Sequence, residues 1–112
     1  MELAQERDAG TNVISPAGRV DGSNSAEFHE GLVAAIADDD ERVILDLGGI
    51  DYISSAGLRV LLLLAQSLGG QSTPFAVCSL AASVDEVFRI SGFNQIISVY
   101  GTLDEAKAQL AN

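Results

Sequence analysis

Two short and almost unbroken apolar runs constrain the fold of this chain more than any other feature of its sequence. They cover residues 42–47 (RVILDL) and 75–80 (FAVCSL). Such runs are typical of central strands that are covered on both faces, as in parallel sheets. Strand and helix patterns alternate along most of the remaining chain. The sequence therefore predicts an α/β fold, with a mostly parallel central sheet of four or five strands and about four helices.

Turn residues and capping signatures set the other predicted boundaries. A segment ending near Arg7 is expected to pair, across residues 8–10, with a strand that reaches from Thr11 to Val20. Asn24 with Glu27, and Thr102 with Glu105, predict capped starts of the first and last helices. The other predicted elements are a leucine-rich helix over 54–68, a helix over 82–90 closed by Gly92, a strand over 95–99 and a final helix reaching Leu110.

Composition narrows the class of protein. The 112 residues suit a single domain, 1–112, and a hydrophobic fraction of 47% supports a real core. A net charge of −10 disfavours nucleic-acid and anionic-membrane partners. The one cysteine, Cys78, allows no internal disulfide, and we find neither a signal peptide nor an apolar run long enough for membrane insertion. We expect a cytoplasmic location.

The leucine-rich helix has a core-facing side and an opposite side that packing in the core does not explain. At 100° per residue, Gly57, Val60 and Leu61 fall on the core face together with residues 64, 65 and 68. Ser55, Arg59 and Gln66 share the opposite stripe, and Leu62 and Leu63 flank it. These five residues form a candidate contact surface. The alternative is that neighbouring loops bury both leucines.

Ser54 and Ser55 lie where a strand passes into this helix. A serine here is ordinarily a cap, whose oxygen accepts a hydrogen bond from a free N–H of the first turn. A helix start also tolerates negative charge, so a phosphate on Ser55 would leave the fold intact while changing the contact surface. Both interpretations are compatible with the sequence.

The segment 44–62 (ILDLGGIDYISSAGLRVLL) resembles the signature of STAS domains in bacterial anti-sigma factor antagonists. Residues 18–24 and 87–93 resemble the flanking parts of the same family. The resemblance implies the STAS fold and a non-enzymatic partner-switching protein. It implies that Ser55 is the phosphoacceptor, with Ser54 as the alternative, because Ser55 stands two residues before Gly57. Many members have aspartate before the phosphoacceptor and a hydroxyl residue after it, whereas this chain has Ser54 and Ala56.

The resemblance also implies partners. The unphosphorylated form would bind a serine-protein kinase that is itself an anti-sigma factor and so release its sigma factor, and a metal-dependent serine phosphatase would reverse the phosphorylation. We expect a monomer when the chain is free. The alternative is a stand-alone STAS subunit of a lipid or solute ABC transport complex, without control by phosphorylation. The predicted partner-binding residues are Asp21, Ser54, Ala56, Gly57, Arg59, Leu62, Leu63 and Gln66. For Asp21 the alternative is that it only caps or solvates its turn.

Other candidate chemistry is weak. His29 is the only histidine and is expected on an outward helix face, where a surface role is far commoner than catalysis. Cys78 is expected in the core. Asp38–Glu41 lack the alternate spacing of a calcium loop and are expected to form a solvated turn. We therefore predict no catalytic residues, no metal and no cofactor.

Overall fold

Strands and helices alternate in the structure, a computed structural model that describes residues 1–111. The predicted α/β fold with a mostly parallel sheet is confirmed, although the sheet has six strands within this range instead of four or five. The strands are β1 (Leu3–Asp8), β2 (Thr11–Val20), β3 (Arg42–Asp46), β4 (Gly49–Ile53), β5 (Phe75–Cys78) and β6 (Ser98–Tyr100). The α-helices are α1 (Ser25–Ala35), α2 (Ser55–Gly70), α3 (Ala82–Ser91) and α4 (Leu103–Leu110).

The main sheet has the strand order β1-β2-β3-β5-β6. Only the β1–β2 pair is antiparallel, which confirms the predicted pairing across residues 8–10. Its two-residue turn places Ala9 and Gly10 at φ values of 50° and 84°. Positive φ at both central residues is the twist that a tight hairpin needs.

Strand β2 has a different partner in each half. Residues Thr11–Ile14 pair with β3, whereas Ala17–Val20 pair in parallel with β4. A register shift at Gly18, whose φ is 106°, lies within the second pairing. Residues 49–53 were not among the predicted strands, yet β4 pairs with β2 and brings the start of α2 to the end of that strand.

The core divides according to the alternation of strand residues. Ile14, Val43, Leu45 and Val77 face the larger core, which α1, α2 and α3 cover. Their neighbours on the opposite face form a smaller core under α4, consisting of Val13, Ile44, Cys78 and Ala106. Cys78 is fully buried, as predicted, and burial raises the pKa of its thiol.

Two of the predicted helix ends form as expected. Gly92 closes α3 in the left-handed region at φ 79°, and Phe93 then packs edge-on against Phe88 with the ring centroids 6.2 Å apart. The Thr102 hydroxyl accepts the Glu105 backbone N–H at 3.1 Å and so caps α4. The strand predicted over 95–99 is displaced, because Phe93–Gln95 forms a 3₁₀ turn after Gly92 and β6 begins at Ser98.

The prediction that Asn24 caps α1 through its side chain is wrong. Asn24 precedes the helix but its side chain forms no cap bond. Its amide instead accepts the Asp21 N–H at 2.9 Å and donates to the Arg19 carbonyl at 2.8 Å. These bonds hold the β2–α1 loop against the end of β2, and Glu27 is paired with the chain's amino terminus.

The prediction that residues 38–41 form a solvated turn is also wrong for Asp40, which is buried. The Asp40 side chain is only 4% exposed and receives both Nε and Nη2 of Arg7, at 2.7 and 3.1 Å. The Asn12 amide and the Ala37 backbone N–H donate to it at 2.9 and 2.8 Å. These bonds, led by that of Arg7, lower the pKa of Asp40 to about 2. The cluster ties the end of α1 to β1 and β2.

Candidate functional site

The chain enters α2 through Ser54. Its backbone is extended, and its hydroxyl accepts the Gly57 N–H at 3.3 Å as the N-cap of the helix. The Ser54 N–H donates to the Val20 carbonyl at 2.9 Å. The start of α2 is thereby fixed beside the β2–α1 loop.

Ser55 is the first helical residue and differs from its neighbour. Its side chain is exposed, and within residues 1–111 its hydroxyl takes part in no hydrogen bond. The two serines that the sequence could not separate therefore have different positions. Ser54 has the structural role of the cap, and Ser55 is left free at the surface.

Gly57 is buried between the end of β2 and the end of β4. A Cβ at this position would lie 2.7 Å from Cγ1 of Ile53 and 2.8 Å from Cγ1 of Val20. The glycine thus allows the first turn of α2 to sit directly on the strands. The structure places Gly57 in the core, on the face that the helical layout predicted, so among the predicted partner-binding residues it shapes the site from beneath.

The predicted stripe along α2 lies at the surface. Ser55, Arg59 and Gln66 are exposed. Leu63 is 40% exposed, so neighbouring loops do not bury it, whereas Leu62 is half-buried. Arg59 forms no ion pair or hydrogen bond within the described part of the chain.

Helix α1 supplies a second wall that the sequence analysis did not identify. A shallow groove runs between the two helices, next to Ser55. It is lined by Ser25, Ala26 and His29 of α1 and by Ala56, Arg59, Val60 and Leu63 of α2. His29 is half-buried in this wall instead of facing outward. The three α1 residues recur at helical spacing, and this was the available signal.

The β2–α1 loop lies beside the start of α2 and is internally bonded. Asp21 accepts the Ser23 hydroxyl at 2.6 Å and the Ser23 backbone N–H at 2.9 Å, and it pairs with Arg19 at 3.1 Å. The Ser23 bonds and then Arg19 hold the pKa of Asp21 below its ordinary value. Arg19 also lies 4.8 Å above the exposed Tyr52 ring. Asp21 therefore organises its turn, while its carboxylate remains partly exposed.

Residues 1–111 also show whether this part of the chain could hold a metal ion or cross a membrane. No group of three or more His, Cys, Asp or Glu side chains in 1–111 is placed to hold a metal ion. None of the helices in the same range is long and apolar enough to cross a membrane.

Comparison with known proteins gives the site its context. The STAS domain model matches residues 2–106. The chain belongs to the STAS domain family. BtrV of Bordetella bronchiseptica, whose name assigns it provisionally to the anti-sigma factor antagonists, is 39% identical over 108 residues, covering 96% of this chain and 93% of BtrV. The anti-sigma-F factor antagonist RsfB of Mycobacterium tuberculosis is 25% identical over 97 residues, covering 87% of this chain and 79% of RsfB.

Solved structures show the same STAS fold. An anti-sigma factor antagonist from Mycobacterium paratuberculosis superposes with a TM-score of 0.90 at 23% identity, over 99% of this chain and 94% of that one. The antagonist SpoIIAA, solved in its unphosphorylated form, gives a TM-score of 0.79 at 19% identity, over 98% and 96% of the two chains.

These relatives place the chain among the anti-sigma factor antagonists, as the signature segment suggested. Such proteins are regulators and not enzymes, in agreement with the expectation of a non-enzymatic protein.

Proposed function

We propose that this STAS domain is an anti-sigma factor antagonist switched by phosphorylation of Ser55, and that its unphosphorylated form binds a serine-kinase anti-sigma factor and releases the sigma factor. One observation carries the proposal. Ser55 is exposed and its hydroxyl is free, on a surface beside an open groove, while the adjacent serine is used as the helix cap.

The difference between the serines favours Ser55 over Ser54 as the acceptor. A kinase must bring the serine hydroxyl within reach of the γ-phosphate of ATP, which is a matter of access and position. The Ser54 hydroxyl oxygen accepts the Gly57 N–H, and Ser54 is partly buried. Phosphorylating Ser54 would crowd the oxygen that accepts the Gly57 N–H, whereas phosphorylating Ser55 affects no hydrogen bond seen in residues 1–111.

The switch follows from charge. In the transfer, the Ser55 oxygen forms a bond to the γ-phosphorus as the bond to the β-phosphate oxygen breaks; the hydroxyl proton passes to a base on the kinase and ADP leaves. The product carries about 1.5 to 2 negative charges at neutral pH. Burying that charge against a partner is costly unless the partner supplies cations. Phosphorylation would thus block docking without unfolding the domain, and hydrolysis by a metal-dependent serine phosphatase would restore it.

The surface also suggests how the partner is recognised. Leu63 and the shallow groove offer apolar contact. Arg59 and Gln66 are exposed on the same helix, and the partly exposed Asp21 lies in the β2–α1 loop. Interfaces commonly combine such an apolar centre with a polar rim. Because the chain carries a net charge of −10, a partner with a complementary basic patch would associate faster, and its binding would weaken with salt.

The decisive experiment reconstitutes the cycle with the kinase that the purified chain captures from its own cell extract. The kinase, Mg²⁺ and ATP should add one phosphate to the intact mass, and Ser55→Ala should abolish the addition while Ser54→Ala retains it. Persistence in Ser55→Ala with loss in Ser54→Ala would move the acceptor to Ser54. A folded kinase that binds the chain but phosphorylates neither serine would overturn the proposal.

A second arm tests the charge block. Ser55→Asp should lose binding to the kinase while retaining the melting temperature of the wild type, and Gln71→Glu at the far end of α2 is the matched control for added charge. Unfolding of Ser55→Asp would contradict the mechanism. Capture of a transporter ATPase in place of a kinase would favour the alternative role as a transport subunit.

A further inference from the structure

Arg59 stands out among the basic residues of this acidic protein. The other four arginines are all engaged: Arg7 with Asp40, Arg19 with Asp21, Arg89 with Asp85, and Arg42 with the carbonyls of Ala9 and Leu110. Of the five arginines, only Arg59 has neither an ion pair nor a hydrogen bond within residues 1–111. In a chain of 16 acidic and six basic residues, an unpaired arginine is conspicuous.

The position of Arg59 relative to Ser55 gives this cation a use. The two residues are four apart on α2, which places them about 40° apart around the helix and one turn apart along it. Side chains at this spacing are neighbours on a helix surface. Both are exposed, and the Arg59 side chain lines the groove that begins beside Ser55.

We propose that Arg59 binds the phosphate of phosphorylated Ser55 within the same chain. This inference rests on the proposed function, since it requires phosphorylation at that serine. The planar guanidinium fork matches phosphate oxygens and can donate two parallel hydrogen bonds to them. Phosphorylation then has two effects: it adds charge to the partner surface, and it withdraws from that surface the arginine that is unpaired within residues 1–111.

None of the other four arginines is placed as well as Arg59 to bind this phosphate. Arg19 is in the neighbouring loop, but it is held by Asp21 and lies over the Tyr52 ring. Moving it to a phosphate would break both contacts. Arg59 has no such contact to lose, so its only cost is the ordering of its own side chain. Arg59 is thus a positioning residue for the modified state, and in the unmodified fold it forms no ion pair or hydrogen bond within residues 1–111.

The test installs phosphoserine at position 55 during synthesis, so that no kinase is needed. Melting temperatures are measured with and without the phosphate in the wild type, in Arg59→Gln and in the control Arg89→Gln. For each protein we take the melting temperature of the phosphorylated form minus that of the unphosphorylated form. We expect this difference to be about 2–6 °C higher in the wild type than in Arg59→Gln. Arg89→Gln should behave like the wild type, and Arg59→Lys should recover part of the difference, since it keeps the charge without the fork.

A spectroscopic readout separates direct contact from a general stability effect. Phosphorylation should shift the Arg59 Nε–Hε resonance of the wild type. The phosphorus resonance of the phosphorylated wild type should differ from that of phosphorylated Arg59→Gln, and 1 M salt should reduce this difference. An equal phosphorylation effect in the wild type and Arg59→Gln, with an unmoved Arg59 resonance, would overturn the inference. Failure of any kinase to modify Ser55 would overturn the proposed function and leave this measurement intact.

Discussion

The two ends of α1 lie beside two polar regions that are organised in opposite ways. At its carboxyl end, the buried Asn12 and Asp40 form a hydrogen-bonded cluster with Arg7, whose side chain is 47% exposed. At its amino end, Ser55 and Arg59 lie exposed beside the groove without a partner in the described chain. The first region shows how charge fastens an element of the fold. The second shows polar groups that the fold does not use and that remain available for modification and binding.

The largest effect is expected when the cluster around Asp40 is disrupted. Asp40→Ala removes the carboxylate and leaves the Arg7 guanidinium and the Asn12 amide only their bonds to the Ala35 carbonyl. We expect a loss of about 2–3 kcal/mol in the free energy of unfolding, measured by urea denaturation. Asp39→Ala, one residue away and exposed, should cost less than about 0.5 kcal/mol. A loss below about 1 kcal/mol for Asp40→Ala would mean that the cluster does not fasten α1.

Acid should weaken the same region. The pKa of Asp40 is about 2 in the folded protein and about 4 in an unfolded chain. Its stabilising effect is therefore complete above pH ~5 and is lost as the pH falls towards 2, amounting to about 2 kcal/mol. Asp40→Asn should remove this part of the pH dependence. The measurement is the difference in unfolding free energy between wild type and variant at each pH, and a constant difference from pH 6 to 2 would contradict the prediction.

At the other end, packing and not charge should carry the stability. Gly57→Ala places a methyl group against Val20 and Ile53, and we expect it to lower the free energy of unfolding by about 1–2 kcal/mol. Gly69→Ala, in the last turn of the same helix with open space around it, should be neutral or stabilising by about 0.5 kcal/mol. Calorimetry of the two variants compares them directly. Equal effects would show that α2 does not press on the strands at Gly57.

The smallest effect sharpens the comparison to a single residue. Ser54→Ala removes the N-cap and should cost about 1 kcal/mol, whereas Ser55→Ala should stay within about 0.5 kcal/mol of the wild type. Chemical denaturation of both variants resolves the difference. A cost for Ser55→Ala as large as that for Ser54→Ala would show that Ser55 is also part of the structural framework.

The fold was largely predictable because the two central strands are buried on both faces and therefore read as apolar runs. Strand β4 was missed because Asp51 and Tyr52 within it are exposed and hide its pattern. The Asp40 cluster was missed because its partners are 33 and 28 residues away in the chain. No local pattern reports such distant pairs.

The candidate site was predicted along α2 and missed along α1. Helical layout alone placed Ser55, Arg59 and Gln66 on one exposed stripe. Which of two adjacent serines caps the helix depends on its exact first residue, and sequence patterns do not fix a boundary that closely. The helical spacing of Ser25, Ala26 and His29 was a signal on α1, but the groove itself depends on how α1 packs against α2, which neither helix specifies by itself.

The complete burial of Cys78 has a practical consequence. A thiol under α4 with a raised pKa reacts slowly with alkylating dyes, so the wild-type chain is close to silent towards such reagents. A single cysteine introduced at an exposed position such as Gln66 would then label selectively, without first removing the native thiol. Fluorescence from that dye would report directly on whatever covers the stripe of α2, and on its release.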